Sequence, residues 1–307
     1  MNVLIVGNYN TGHFSPFVVE QMQAIRGHGI YVDAYGIIGK GLWGYLSNIS
    51  RLRRKIIEFK PDLIHAHYGL SGLCANLQRK IPVVTTFHGS DIHAGGWLLK
   101  LSQVAAHLSA YNIFVSKKML EMSCYNKENA SVLSCGLDLN VIQSISRIEA
   151  RKKMRIPLGD KVGLFSGSFD NYIKNYPLAK SAVDKLQNVQ LIELKNYSRE
   201  EVNLLMNASD FQLTTSFRES GPLVVKEAMA CGTPIVTVDV GDVKEIIGNT
   251  CGCYIAKYNA DDIADKIRLA LTFKGKTNGR QRIVELGLSN DLVAKRLVEI
   301  YKKVLNQ

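Results

Sequence analysis

The run FQLTTSFRESGPLVVKEAMACGTPIVTV, residues 211–238, reads as strand, loop, helix, strand. Phe211–Thr215 and Ile235–Val238 are short apolar runs rich in β-branched residues, the composition of buried strands. Between them Pro222 marks a first helical position, and Gly232, in Cys231-Gly-Thr-Pro234, marks the end of a helix over 223–230. A strand that returns through a helix to a second strand is a unit of parallel sheet. The free N–H groups and dipole at such a helix start suit a diphosphate. Glu219 stands just before that start, and Glu227 stands inside the helix. Two carboxylates beside an anion site call for neutral partners, and a pair of sugar hydroxyls is one such partner. The alternative is that Glu227 only complements the helix dipole and that Glu219 is a solvated loop charge.

The same alternation extends outward in both directions. Toward the N-terminus, strands are predicted at Val3–Val6, Tyr31–Ile37, Asp62–Ala66, Val83–Phe87 and Asn112–Val115. A helix opens at Ser15-Pro16 and stops near Gly27 and Gly29, and a second covers Leu52–Phe59. A polar, charged helical stretch, Ile142–Pro157, interrupts the pattern. Strands then resume at Lys161–Ser166, Val189–Glu193 and Cys253–Ile255. The reading is α/β, with two successive doubly wound domains of about equal size, 1–150 and 151–288. A last helix, Asp291–Leu305, carries Val293, Leu297, Ile300, Tyr301 and Val304 on one face. It must bury that stripe, and residues 289–307 are expected to pack back across the domain junction.

Composition agrees with this reading and excludes other classes. The 307 residues are 46% hydrophobic and 21% charged, a globular balance and not a disordered one. No apolar run reaches the roughly 18 residues of a membrane span. MNVLIVGN lacks the basic region and cleavage site of a signal peptide, so it reads as a first strand and the protein is expected in the cytoplasm. Six cysteines, at 74, 124, 135, 231, 251 and 253, form no CxxC pair; reduced, mostly buried thiols are expected. The net charge of +11 asks for an anionic partner. Its excess is spread over both halves, 14 Lys and Arg against 9 Asp and Glu in residues 1–150 and 24 against 18 beyond, so no basic tail is present.

Ligands of doubly wound sheets sit beyond the carboxyl ends of the strands, which directs attention to the strand-to-helix loops. The first, Gly7-Asn-Tyr-Asn-Thr-Gly12-His13-Phe14, is neither a dinucleotide fingerprint nor a P-loop; it either accepts a phosphate or merely turns the chain. His88, in Phe87-His-Gly-Ser-Asp91, stands where a strand ends and can donate to a substrate oxygen. His65 alternates inward with Leu63 and is expected to be structural, whereas His67 and Tyr68 face the ligand side. Lys174 lies in the loop before a helix over Pro177–Leu186, where a cation can counter phosphate charge.

Taken together, these segments resemble the retaining, nucleotide-sugar-dependent glycosyltransferases of family 4 (group 1), which have the GT-B fold of two Rossmann-like domains facing a cleft. Glu219 to Val236 looks like that family's E-x7-E element with the helix and strand that follow it. His88-Gly-Ser-Asp91 looks like its HGxD loop, Gly136-Leu-Asp138 like the G-x-D that ends the first domain, and Asp239–Glu245 like its later Gly/Glu loop. The resemblance spans residues 1 to about 305. It implies that Glu227 binds the nucleotide ribose and that Glu219 holds donor-sugar hydroxyls. Backbone N–H groups around Gly221, Leu223 and Val224 would hold diphosphate and sugar, with Pro222 lining the same donor site, Lys174 neutralising charge and Gly12 letting the first loop approach. His88 would contact the donor sugar near the reacting carbon, and Asn196 and Tyr197 would lie near the base. His13, His67, Tyr68 and Asp91 fall on the acceptor side. No metal or other cofactor is expected beyond a UDP- or GDP-sugar co-substrate.

One departure stands out. The family places Arg after a Gly beside the phosphates, but here Ser168 follows Gly167, so Lys174 carries more of that load or another cation, such as Arg218, substitutes. The ESGP sequence also differs from the common EGFG. The implied acceptor is a glycan or lipid-linked sugar of cell-surface polysaccharide synthesis. Trp43, Tyr45, Leu46 and Ile49, beside Lys40, Arg51, Arg53, Arg54 and Lys55, suit peripheral contact with an anionic inner membrane face, or else form an ordinary amphipathic helix. The competing readings are a GT-B epimerase or sugar-nucleotide hydrolase and a basic nucleic-acid binder; no nucleic-acid module is recognisable, and nucleic acid is not an expected partner.

Overall fold

The computed structural model describes residues 1–306 and divides into two compact units. The first comprises Met1–Gly136 with the terminal helix Asn290–Leu305, and the second Leu137–Ser289. The chain thus leaves its first unit at Gly136, before the charged stretch, and not near residue 150.

In the first unit six parallel strands, β1 (Asn2–Asn8), β2 (Tyr31–Ile37), β3 (Leu63–His67), β4 (Val83–Phe87), β5 (Tyr111–Phe114) and β6 (Ala130–Val132), lie in the order β2-β1-β3-β4-β5-β6. Successive side chains of β1 point to opposite faces, and both faces are buried. Val3 and Ile5 pack with Ile25 of the helix Pro16–Gly27 and with Val293, Leu297 and Tyr301 of the terminal helix. Leu4 and Val6 pack with Leu52 and Ile56 of the helix Ile49–Phe59 on the other side. The terminal helix is therefore half of one core layer, each of its fully buried aliphatic side chains worth roughly 1.5–3 kcal/mol.

The second unit holds β7 (Lys161–Phe165), β8 (Val189–Glu193), β9 (Phe211–Thr214), β10 (Ile235–Val238) and β11 (Cys253–Ala256), all parallel, in the order β11-β10-β9-β7-β8. Strand order reverses at β1/β3 in one sheet and at β7/β9 in the other. At such a crossover the flanking loops diverge to opposite faces and open a crevice at the strands' carboxyl ends. Each candidate loop of the sequence that follows β1, β3, β7 or β9 borders one of these two openings.

Several expectations change in detail. The helix after β9 starts at Leu223, with Pro222 as its N-cap in extended backbone and not as its first turn. The charged stretch 142–157 is helical only over Arg147–Met154, where Arg151 is fully buried. Its guanidinium donates to the carbonyls of Ala208, Pro157, Leu158 and Asp160 and to Asp210 Oδ2, all at 2.8–3.0 Å. Of the expected surface segment around Trp43, Tyr45 is buried, and Ile49 packs on the core beside Leu52 and Ile56. Trp43 alone of its aromatics stays out, 82% exposed. The six thiols are free, but only Cys74 and Cys231 are buried, while Cys124 and Cys251 are exposed. β6 carries no strand signal of its own, because its three residues, Ala-Ser-Val, form a short edge with no apolar run.

Candidate active site

At the β7/β9 crossover the loops after the two strands are tied to each other. Lys174 closes a short 3-10 turn, Tyr172–Lys174. The Thr215 hydroxyl donates to the carbonyls of Lys174 and Asn175, both at 3.0 Å, and the Phe217 N–H donates to Ile173 O at 2.9 Å. The Lys174 stem crosses Gly167 so closely that a Cβ there would lie 3.0 Å from it, which explains a glycine at this point. Lys174 Nζ reaches Glu219 Oε1 at 2.6 Å, and the Ser216 hydroxyl donates to the same oxygen at 2.8 Å. Glu219 is thus a fixed, mostly buried carboxylate and not a solvated loop charge.

Glu227 is deeper, its side chain only 5% exposed, and it is paired with Arg199. Arg199 joins the site only through the fold. It opens the helix Arg199–Ala208, between the two partners of the capping box, Ser198 and Glu201. A cation in a first turn opposes the helix dipole, and a buried Glu227 requires a counter-charge; together these were the available signals. Asn196, in left-handed backbone, and Tyr197 immediately precede this turn. Gly221, Pro222, Leu223 and Val224 form the helix entry, where the first backbone bond back is Val225 N–H to Pro222 O. Asp242 of the later Gly/Glu loop packs against Gly221. Ser168 contributes no positive charge: its hydroxyl bonds Asp170 and, at 3.2 Å, Glu193. Arg218 is exposed in the loop before Glu219.

The first unit's crossover carries the histidines. His65 and His67 are fully enclosed on β3, and His88, after β4, is half-buried. His65 lies 2.5 Å from the Tyr301 hydroxyl and 2.7 Å from that of Thr86, a structural histidine as expected. His67 Nδ1 is 2.9 Å from His88 Nε2, and Cys135 Sγ is 3.7 Å from His88 Nδ1. Phe17 and Tyr68 flank the His88 ring. Both His88 nitrogens are therefore engaged, and a sugar contact through either must displace His67 or Cys135. Asp91 is also committed: its carboxylate accepts the N–H groups of Gly69, His88 and Gly89 at 2.7–3.3 Å, which fixes the loop carrying His88. A cavity of about 500 Å3 opens here, with His13, Tyr68 and Asp91 in its wall. Gly12, at φ +79, lies in the same first loop with open space beside it.

Two family models match this chain, one described as glycosyltransferase family 4 over residues 13–141 and one as glycosyl transferases group 1 over residues 187–286. The uncharacterized glycosyltransferase MJ1178 of Methanocaldococcus jannaschii is 30% identical over 256 residues, 73% of this chain and 69% of that protein. The chain belongs to the group 1, family 4 glycosyltransferases.

This glycosyltransferase is also 26% identical over 242 residues to TuaC of Bacillus subtilis, described as a teichuronic acid biosynthesis glycosyltransferase. That match covers 68% of this chain and 61% of TuaC. The sucrose-phosphate synthase of Thermosynechococcus elongatus superposes over the full chain and 99% of its own, with TM-score 0.85 at 15% identity. Anabaena HepE, solved in complex with UDP and glucose, superposes over 99% of this chain and 100% of its own, with TM-score 0.78 at 15% identity. The two parallel-sheet units are thus those of the GT-B fold. Among the described residues no helix is long and apolar enough to cross a membrane.

The buried histidines of this glycosyltransferase make its first unit acid-sensitive. Burial holds the pKa values of His65 and His67 below the ordinary 6.5, His67 at about 3. Below pH 6.5 the unfolded chain therefore binds protons that the folded chain refuses, so stability present at neutral pH is lost as pH falls toward 3. His67 contributes a slope of about 1.4 kcal/mol per pH unit within that window. His67→Gln should remove one such slope between about pH 6 and 4, read from urea midpoints at successive pH values. An unchanged slope in the variant would show that His67 titrates normally in the fold.

Proposed function

We propose that this chain is a retaining glycosyltransferase that moves a sugar from a nucleoside-diphosphate sugar to a glycan or lipid-linked acceptor in cell-surface polysaccharide synthesis. The observation that carries the reading is the pair of carboxylates at the β7/β9 crossover, each held by its own cation, Glu219 by Lys174 and Glu227 by Arg199. In this arrangement Glu227 takes the ribose hydroxyls, and Asn196 and Tyr197 lie near the base. Glu219 takes donor-sugar hydroxyls. The helix entry at Gly221–Val224 and Lys174 face the diphosphate, and Arg199 holds Glu227 in place.

The reaction breaks the bond from the sugar's anomeric carbon to the diphosphate oxygen. Negative charge grows on the departing diphosphate while the sugar becomes oxocarbenium-like, so fixed donors and cations at the phosphate end lower the barrier. The acceptor hydroxyl then attacks on the face the diphosphate leaves, and the departing phosphate is the proton acceptor. Lys174, once turned from Glu219, and the helix entry take up that charge, so no divalent metal enters this reading and chelation should leave the rate unchanged. UDP-sugars are the first choice of donor, in line with the HepE complexes with UDP and UDP-glucose. Exposed Trp43, near the basic helix Ile49–Phe59, supports peripheral contact with anionic lipid, testable by co-sedimentation with anionic vesicles.

A panel of UDP-, GDP-, ADP- and dTDP-sugars tests the donor site. One nucleotide should stabilise the wild type, and Glu227→Ala should weaken it about 10–100-fold, the worth of one or two hydrogen bonds to a charged group. Equal affinity in the variant would remove Glu227 from the nucleotide site. The product's anomeric configuration, read by NMR, tests retention, and donor consumption that needs no acceptor would point to an epimerase or hydrolase instead.

A further inference from the structure

The helix Gly96–Leu108 of the first unit has its bulk on the outside. Its buried residues are small, Ser102, Ala105 and Ala106, and the helix lies so close to Gly69 that a Cβ there would overlap the Ser102 hydroxyl. Its large apolar residues face the other way. Trp97, Leu101, Val104 and Leu108, spaced by four, three and four positions, form one row along the helix. Leu101 is half-buried, while Trp97 is 56% exposed, Val104 47% and Leu108 38%. A surface helix of a globular protein carries the reverse pattern, apolar inside and polar outside, so packing within the unit does not account for this row.

Trp97 and Trp43 are the only tryptophans of the chain, and both are exposed. The fold also brings their helices to one place. Leu98, next to Trp97, and Tyr45, two residues past Trp43 on the helix Gly41–Leu46, line the same cavity at the β1/β3 crossover. The charge around them has one sign. Five Lys and Arg lie between Ala34 and Ile57 and three between Ile92 and Leu120, with no Asp or Glu in either stretch.

That charge argues against a second copy of the chain as the cover of this face. A two-fold contact sets a patch against itself, so cations would meet cations with no carboxylate to pair. An anionic leaflet supplies the missing sign, its headgroup region suits indole rings, and its acyl chains take an aliphatic row. We propose that the outer face of the helix Gly96–Leu108 docks on an anionic bilayer, with Trp97 and Trp43 at headgroup level and Val104 and Leu108 against the upper acyl chains. The proposal rests on the lipid contact of Trp43 and the basic helix Ile49–Phe59 suggested above, and it adds to that contact a second, apolar element. It does not depend on sugar transfer.

Vesicles of equimolar phosphatidylcholine and phosphatidylglycerol, compared with phosphatidylcholine alone, test it without donor or acceptor. Trp43→Phe leaves Trp97 as the sole indole, and Trp97→Phe leaves Trp43, so each reports by itself. On the anionic vesicles each emission should move to shorter wavelength and be quenched by brominated acyl chains. Lys100→Ala should weaken binding about fivefold, the worth of one cation near an anionic surface, and Val104→Asp about tenfold or more. Lys274→Ala, the same charge change at an exposed site of the second unit, should leave binding unchanged. Trp97 unquenched while Trp43 is quenched overturns the docking face and leaves the basic-helix contact standing. Equal losses for Lys100→Ala and Lys274→Ala reduce binding to the overall positive field and overturn it too. No binding to anionic vesicles removes both readings. Sedimentation velocity without lipid is the last arm: a dimer in which Trp97 is shielded from acrylamide shows that a second copy covers the helix and overturns the proposal.

Discussion

Lys174→Ala is expected to lower kcat about 100–1,000-fold, the effect of removing one preorganised donor from a group that gains charge in the transition state. In the structure Lys174 Nζ rests on Glu219 at 2.6 Å, and its backbone is fixed by the Thr215 hydroxyl. On the glycosyl-transfer reading proposed above, the ammonium is already positioned when the donor arrives and turns from carboxylate to diphosphate. Its attraction to that diphosphate grows as the anomeric bond breaks, because the leaving oxygen gains charge. For this reason the loss in kcat should exceed the loss in nucleotide affinity. Lys174→Arg keeps the charge but replaces a compact ammonium with a broad planar fork, so it should recover only part of the rate. Measuring kcat beside nucleoside-diphosphate affinity for both variants separates the roles. If affinity falls as far as turnover does, Lys174 binds the donor without assisting departure.

Arg151→Met is expected to cost the second unit about 3–5 kcal/mol, the usual result of removing one partner from a buried ionic cluster. Methionine replaces the apolar stem well enough, so the loss is polar. Four carbonyls, of Ala208, Pro157, Leu158 and Asp160, lose their guanidinium donor. Asp210, 10% exposed, keeps only the Val162 N–H and the more exposed Arg147. Arg151→Lys should be nearly as damaging, since one ammonium cannot satisfy five acceptors spread around a planar fork. Both tryptophans lie in the first unit, so fluorescence would miss the effect. Hydrogen exchange at the amides of β7 and β9 reads it directly, and a loss under about 1 kcal/mol would show that water replaces the guanidinium at no great penalty.

These two residues mark how far local sequence carried. Lys174 was legible because it sits in a loop between a strand and a helix, where position alone implies a ligand-facing side chain. Arg151 was not: in a run of Arg, Lys and Glu it resembles any solvated helix face, and nothing local shows that five acceptors converge on it. Arg199 lies between these cases. Its wrong-signed place in a helix first turn is visible in sequence, but its partner Glu227 is twenty-eight positions away. Asp91 read as a ligand-facing carboxylate and is instead spent on three backbone N–H groups, a commitment that depends on how β3 and β4 lie side by side.

The sequence by itself determined every strand but β6, the parallel α/β architecture and the E-x7-E and HGxD loops. Each is written in contiguous residues: apolar runs of strand length, Pro and Gly at helix ends, carboxylates at fixed spacing. Tertiary structure alone decided which side chains meet. It brought Lys174 to Glu219, Arg199 to Glu227 and His67 to His88, and it returned the terminal helix to complete the core of the first unit. The physical reason is that a crossover connection brings the carboxyl ends of two strands together only when the sheet is assembled. Charge pairing across that gap depends on strand order, which no local pattern encodes.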